Sequence, residues 1–127
     1  MATTPILKEV VHMGSPINYV IQDGGDTAVV LYSHWGANGW QGDLAEALIH
    51  SKPRWSDASY ATRMLICSFI NEAYGEDLMT ETGFGIYSVT LPHTDVWNEE
   101  VLIDFSKKTV NDEPFADFIK QHAGVSV

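Results

Sequence analysis

Seven consecutive residues, Met64-Leu65-Ile66-Cys67-Ser68-Phe69-Ile70, constrain the fold more than any other stretch. They lie in a segment of helical character, with Ser56 as a capping hydroxyl and Asp57 just inside, where a carboxylate complements exposed N–H groups. The helix is expected to run to about Tyr74 and to close at Gly75. A helix that is apolar almost all round is covered on several sides, so the pattern predicts a central helix. Cys67 falls within this run and reads as a small core hydrophobe. With 127 residues, 45% of them hydrophobic, the chain suits one domain around one core.

The rest of the chain supplies layers for such a helix. The first fifteen or so residues, broken by Pro5 and Gly14-Ser15-Pro16, read as a flexible arm. Alternation from Ile17 to Gln22 and the apolar run Thr27 to Ser33 predict two strands. Asp23-Gly24-Gly25-Asp26 between them is a tight-turn signal, which makes the pair an antiparallel hairpin. Gln41 to Ser51 suits a short helix with Leu44, Ala47 and Leu48 on one face, ended by Pro53. Phe84 to Thr90 and Val101 to Phe105 read as strands, the latter turned back by Ser106-Lys107-Lys108 through Thr109-Val110. Pro114 opens a last helix, Phe115 to His122, with Phe115, Phe118 and Ile119 inward. The order ββ-αα-ββ-α predicts an α+β domain, an antiparallel sheet of about four strands with helices on one face.

Charge narrows the function. Seventeen acids against seven bases give a formal charge of −10, which argues against general binding to nucleic-acid backbones. The charge is concentrated in residues 72–127, which hold eleven acids and three bases. The single cysteine excludes an intrachain disulfide framework and fits a reducing, cytoplasmic setting. No apolar run approaches the roughly 20 residues that span a bilayer, and the start does not read as a signal peptide.

Two clusters carry candidate ligand chemistry. In the first, Tyr32, Trp35 and Trp40 offer flat apolar surfaces, while His34 and Asn38 offer directional hydrogen bonds among glycines that permit close approach. In the second, Arg54 and Trp55 precede the long helix, and Tyr60 and Arg63 follow one and two turns along it. Two guanidinium forks beside exposed helix N–H groups favour phosphate or carboxylate, unless Asp57 takes one of them as a partner. Asp43, Glu46 and His50 share a stripe of the short helix and with His34 form a weaker metal candidate on the expected solvent side. Nucleophilic catalysis has little support, because Ser33 and His34 are adjacent on a strand and point to opposite faces. His93 and Asp95 sit in a loop with no partner that the sequence fixes. No metal and no cofactor are expected.

At Val30-Leu31-Tyr32-Ser33-His34-Trp35-Gly36 the chain resembles a group of small, mostly uncharacterised proteins of bacteriophages and bacteria, which carry a Tyr-Ser-His-Trp-Gly motif after a buried strand. The similarity continues through Arg54-Trp55-Ser56-Asp57, Tyr60, Arg63, Thr82-Gly83-Phe84-Gly85-Ile86 and Val101-Leu102-Ile103-Asp104-Phe105, covering about residues 27–110. Many members have Gly-Gly after the tryptophan, where this chain has Gly36-Ala37. The resemblance implies a phage or mobile-element origin and brings no activity with it.

Together these readings favour a non-enzymatic protein that binds a small anionic ligand with a planar part, such as a nucleotide, and sequesters a host immune signal. Residues Tyr32, His34, Trp35, Asn38, Trp40, Arg54, Trp55, Tyr60 and Arg63 would enclose it. The alternatives are an acidic mimic of nucleic acid that inhibits a basic host protein through Glu72, Glu76, Asp77, Glu81, Glu99 and Glu100, and a small metal-assisted hydrolase using His34 with Asp43 or Glu46. Neither a membrane nor direct nucleic-acid binding is expected, and the aromatic surplus suits a homo-oligomeric interface.

Overall fold

The computed structural model describes residues 14–74 and 83–127. The greater part of the expected arm (residues 1–13), Gly75 and the acidic loop that follows it lie outside the described residues. Strands β1 (Ile17–Gln22) and β2 (Thr27–Ser33) form the expected antiparallel hairpin, turning through Gly24 at φ 94°. Helix α1 (Trp40–Ser51) follows, then a 3-10 turn (Lys52–Arg54) containing Pro53, then helix α2 (Ala58–Tyr74). The remaining elements are β3 (Phe84–Thr90), β4 (Glu99–Asp104), β5 (Thr109–Val110), β6 (Glu113–Pro114) and α3 (Phe115–Ala123).

The fold is α+β with helices on one face, but its sheet has six strands in the order β3-β2-β1-β4-β5-β6 and is mixed. β4 runs parallel to β1, with Tyr19 opposite Val101 and Ile21 opposite Ile103. The sheet is therefore not the four-stranded antiparallel one expected, although the turn at Ser106-Lys107-Lys108 does bring β5 back antiparallel on β4. β3 pairs with β2, while β4 lies on the far side of β1, so the two consecutive strands flank the first hairpin. Residues 91–98 make the crossing over the face that the helices leave open: Leu91 packs on Val20 and Val30, and Asp95 bonds Asn18 of β1. Local pattern cannot distinguish a hairpin from two strands parted by such a crossing. Beyond β5, Asn111 and Asp112 both take positive φ, 47° and 69°, which is the two-residue hairpin geometry that adds β6.

Alternation explains the two faces. Ile17, Tyr19 and Ile21 of β1 join Leu31, Val101, Ile103 and the buried residues of the helices in the main core. On the other face Val20, Ala28 and Val30 form a smaller cluster under Val89, Leu91 and Leu102. α2 is not the central helix that its composition predicts. Among its described side chains only Ala61, Leu65 and Phe69, spaced four apart, are buried, while Ile66 is half-buried and Cys67 is exposed. The sheet and α1, whose His50 meets Ser68, cover one side of this helix, and its other described positions are half-buried or exposed. α3 matches its pattern, with Phe115, Phe118 and Ile119 buried. No helix among the described residues is long and apolar enough to cross a membrane.

Candidate functional site

The residues that end β2 form a compact aromatic group. The Tyr32 hydroxyl and His34 Nδ1 share a hydrogen bond of 2.6 Å, its direction set by the imidazole tautomer, and both side chains lie on the open face, Tyr32 within β2 and His34 just beyond its end. The His34 backbone is held from two sides: its carbonyl accepts from Ser15 N–H at 2.8 Å, and its N–H donates to the Gly83 carbonyl at 2.9 Å. Trp35 packs edge-on against the His34 ring, with centroids 4.6 Å apart and planes at 87°, yet stays 54% exposed. A Cβ on Gly83, which has φ +81°, would lie 2.9 Å from the Trp35 ring, and one on Gly14 would lie 2.6 Å from His34 Nε2. Both glycines are therefore needed for these rings to sit where they do.

Trp40 does not join that group. It is the first residue of α1 and stacks on Phe118 of α3, 5.9 Å between centroids, as part of the main core's margin. Asn38 is exposed in the turn before it.

The second cluster is built by the junction of α1 and α2. The Lys52 N–H turns to the Ile49 carbonyl, which leaves the buried Leu48 carbonyl at the end of α1 without its helical donor. Trp55 Nε1 and the Ser51 hydroxyl donate to it instead, at 3.1 and 3.2 Å. The Trp55 ring meanwhile packs edge-on against Phe115, 5.0 Å away. The cap of α2 is Asp57 rather than Ser56. Its carbonyl accepts the Ala61 N–H and its carboxylate accepts the Tyr60 N–H. With Asp57 used in this way, the arginines turn to an aromatic ring. Arg54 and Arg63 place their guanidinium carbons 4.5 and 5.0 Å from the centroid of the exposed Tyr60 ring. Neither makes an ion pair among the described residues, where His93 and Glu100 form the pair that is seen. Beside this helix start lies an open depression of about 710 Å³, to which Ser56, Ser59, Ser106 and Lys108 contribute. Asp23 and Asp57 line it too, so positive charge is more concentrated at the arginine pair than in the depression.

The structure does not bring the two clusters together. His34 follows the last residue of β2, whereas Ala58, Ser59 and Thr62 line a cavity with Thr27, Ala28 and Val29 at its beginning. The two groups thus lie toward opposite ends of that strand. The stripe Asp43, Glu46 and His50 is on the exposed side of α1, and His50 Nδ1 bonds the Ser68 hydroxyl at 2.8 Å. Among the described residues no three metal-ligating side chains converge. Of the six acids proposed as a nucleic-acid mimic, Glu76, Asp77 and Glu81 and the side chain of Glu72 fall outside the described residues. Glu99 is exposed, and Glu100 faces His93.

A third group was not legible as a site. Asp95 accepts from Asn18 Nδ2 and Asn98 Nδ2, both at 2.9 Å, and from the Trp97 N–H at 2.8 Å. The Trp97 N–H first, with the amides of Asn98 and Asn18, holds the Asp95 carboxyl below its usual value against a smaller opposing effect of burial. Nearby, His93 Nε2 lies 3.2 Å from Glu100 Oε2, in contact but not aligned as a hydrogen bond. Both residues line a groove of about 610 Å³ floored by Val20, Leu91 and Leu102. The signal in the sequence is Asn18, fully buried within an apolar alternation, since a buried amide needs a partner from elsewhere.

No protein family, curated protein or solved structure matches the chain in comparisons made against each.

Proposed function

We propose that the protein is a non-enzymatic binding protein whose ligand is a small anion of the nucleotide class, held at Arg54, Tyr60 and Arg63. One observation carries this reading: the two arginines of a chain with net charge −10 share one exposed tyrosine ring and have no carboxylate partner among the described residues. Clustering like charges has an electrostatic cost. Ordinary architecture would relieve it with Asp57, which instead caps the helix. Guanidinium forks bind phosphate oxygens in pairs, and their planes also stack on flat heterocycles, so one cluster serves both parts of such a ligand. Tyr32, His34 and Trp35 stand outside this site and Trp55 supports it from beneath. The motif through His34 carries the proposed phage or mobile-element origin, and with it action in a host cytoplasm as a trap for a nucleotide signal.

Calorimetric titration with nucleoside monophosphates, triphosphates and cyclic dinucleotides tests the proposal. Binding is expected for at least one class, with the ligand recovered unchanged. Arg63→Ala should weaken it by tenfold or more, on the order of 1.4 kcal/mol, while Trp35→Ala leaves it intact. Loss of binding in Trp35→Ala with retention in Arg63→Ala would refute this site.

A further inference from the structure

We infer that the groove beside the 91–98 crossing is a second binding site, which takes a small organic amine: a primary ammonium head on an apolar chain. It shares no residue with the arginine site. Unsatisfied acceptors are concentrated at this one place. Among the described residues, three buried side-chain atoms lack a hydrogen-bond partner: Asn18 Oδ1, His93 Nε2 and Glu100 Oε2. Asn18 and Glu100 are register neighbours on β1 and β4, and both point away from the main core, into which Tyr19 and Val101 turn. His93 Nε2 lies 3.2 Å from Glu100 Oε2. Asn18 is fully buried and its amide nitrogen is committed to Asp95, so its oxygen is the end left over. Buried polar atoms are ordinarily paired, and three in one corner call for a group from outside the chain.

The three atoms define that group. A carboxylate and an amide oxygen only accept, and a neutral imidazole with its proton on Nδ1 accepts at Nε2. Two acceptors facing each other repel until a donor lies against both. A primary ammonium brings three N–H donors and a positive charge, which suits the acceptors in number and in sign.

The groove supplies the rest of the selection. Its volume of about 610 Å³ is in the range of small-molecule sites. Val20, Leu91 and Leu102 form an apolar floor, which favours an alkyl chain behind the ammonium over a bare ion. Asp26 and Glu100 are the acids of its lining, and among the described residues no lysine or arginine lines it, so anions are repelled. A metal ion would find no third ligand, since no three metal-ligating side chains converge among the described residues.

Calorimetric titration of the full chain with hexylamine tests the inference, in a mildly alkaline, amine-free buffer that keeps imidazole neutral. Hexylamine should bind saturably, and butylamine should bind about tenfold more weakly for its two missing methylenes. Hexanol and hexanoate carry the chain without the ammonium and should each bind at least tenfold more weakly than hexylamine. Glu100→Gln, which keeps the shape and removes the charge, should cost tenfold or more. Asp117→Asn removes the same charge from the exposed side of α3 and should leave binding unchanged. In nuclear magnetic resonance of the wild type, which needs no variant, hexylamine should shift the His93 ring signals and the Leu91 and Leu102 methyl signals. No saturable binding, equal affinity for hexanol or hexanoate, equal losses in the two variants, or shifts that avoid His93 would each overturn the inference. So would tighter binding of a blocked lysine than of hexylamine, which would give the groove to a basic peptide.

Discussion

Replacing Trp55 by Phe and Ser51 by Ala, singly and together, tests the junction that positions the arginine cluster. The Leu48 carbonyl is buried, has lost its helical donor to the Ile49 carbonyl, and is satisfied by two side chains alone. Trp55→Phe removes one of them, at about 1 kcal/mol for the hydrogen bond, with a similar further loss as the smaller ring gives up contact with Phe115. Ser51→Ala removes the other, again at about 1 kcal/mol. In each single variant the carbonyl keeps one donor. In the double variant it keeps none, and an unsatisfied buried carbonyl adds about 1–3 kcal/mol. The double variant should therefore be less stable than the sum of the singles by at least about 1 kcal/mol. Urea denaturation at equilibrium resolves this, because m-values of about 1–3 kcal/mol/M turn it into a midpoint shift of several tenths molar or more. Additivity within about 0.5 kcal/mol would mean that the two donors do not share one acceptor, and the reasoning would fail.

Other outcomes follow from the same geometry. Asp57→Asn keeps a capping oxygen for the Tyr60 N–H, so stability should change by only a few tenths of a kcal/mol, whereas Asp57→Ala should lose about 1 kcal/mol. Both remove a negative charge beside the arginines, so both should tighten phosphate binding in calorimetry. Asp104 supplies the pH dependence. Its burial alone would raise the carboxyl, but bonds from the Ser106 hydroxyl and the Lys107 and Ser106 N–H groups hold it below the usual 3.8. A carboxyl depressed in the folded state stabilises the protein fully above the unfolded value, and that contribution fades as pH falls through the folded one. Acid unfolding below pH 3.8 should thus be shallower in Asp104→Asn than in the wild type, as followed by circular dichroism.

What the sequence reveals here is mostly local. β1, β2 and β3 lie where alternation and the Asp23-Gly24-Gly25-Asp26 turn place them, and α3 buries the three residues its spacing selects. Three features needed information from elsewhere in the chain. The parallel pairing of β1 with β4 depends on the 91–98 crossing, whose anchors, Asn18 and Asp95, are 77 residues apart. The exposure of Cys67 depends on how many layers pack on α2, which composition overstates. Finally, the separation of the His34 group from the arginine pair follows from the direction of α2 along the sheet. A helix that started at the other end of β2 would have joined them.

The arginine site is tested most directly by mapping phosphate binding with nuclear magnetic resonance on labelled full-length protein. Inorganic phosphate, then the tightest nucleotide from the calorimetric series, should shift the side-chain Nε–Hε signals of Arg54 and Arg63 and the ring signals of Tyr60. The indole signal of Trp35 should stay where it is. Shifts confined to Trp35 and Asn38, or none at the arginines at saturating phosphate, would contradict the account.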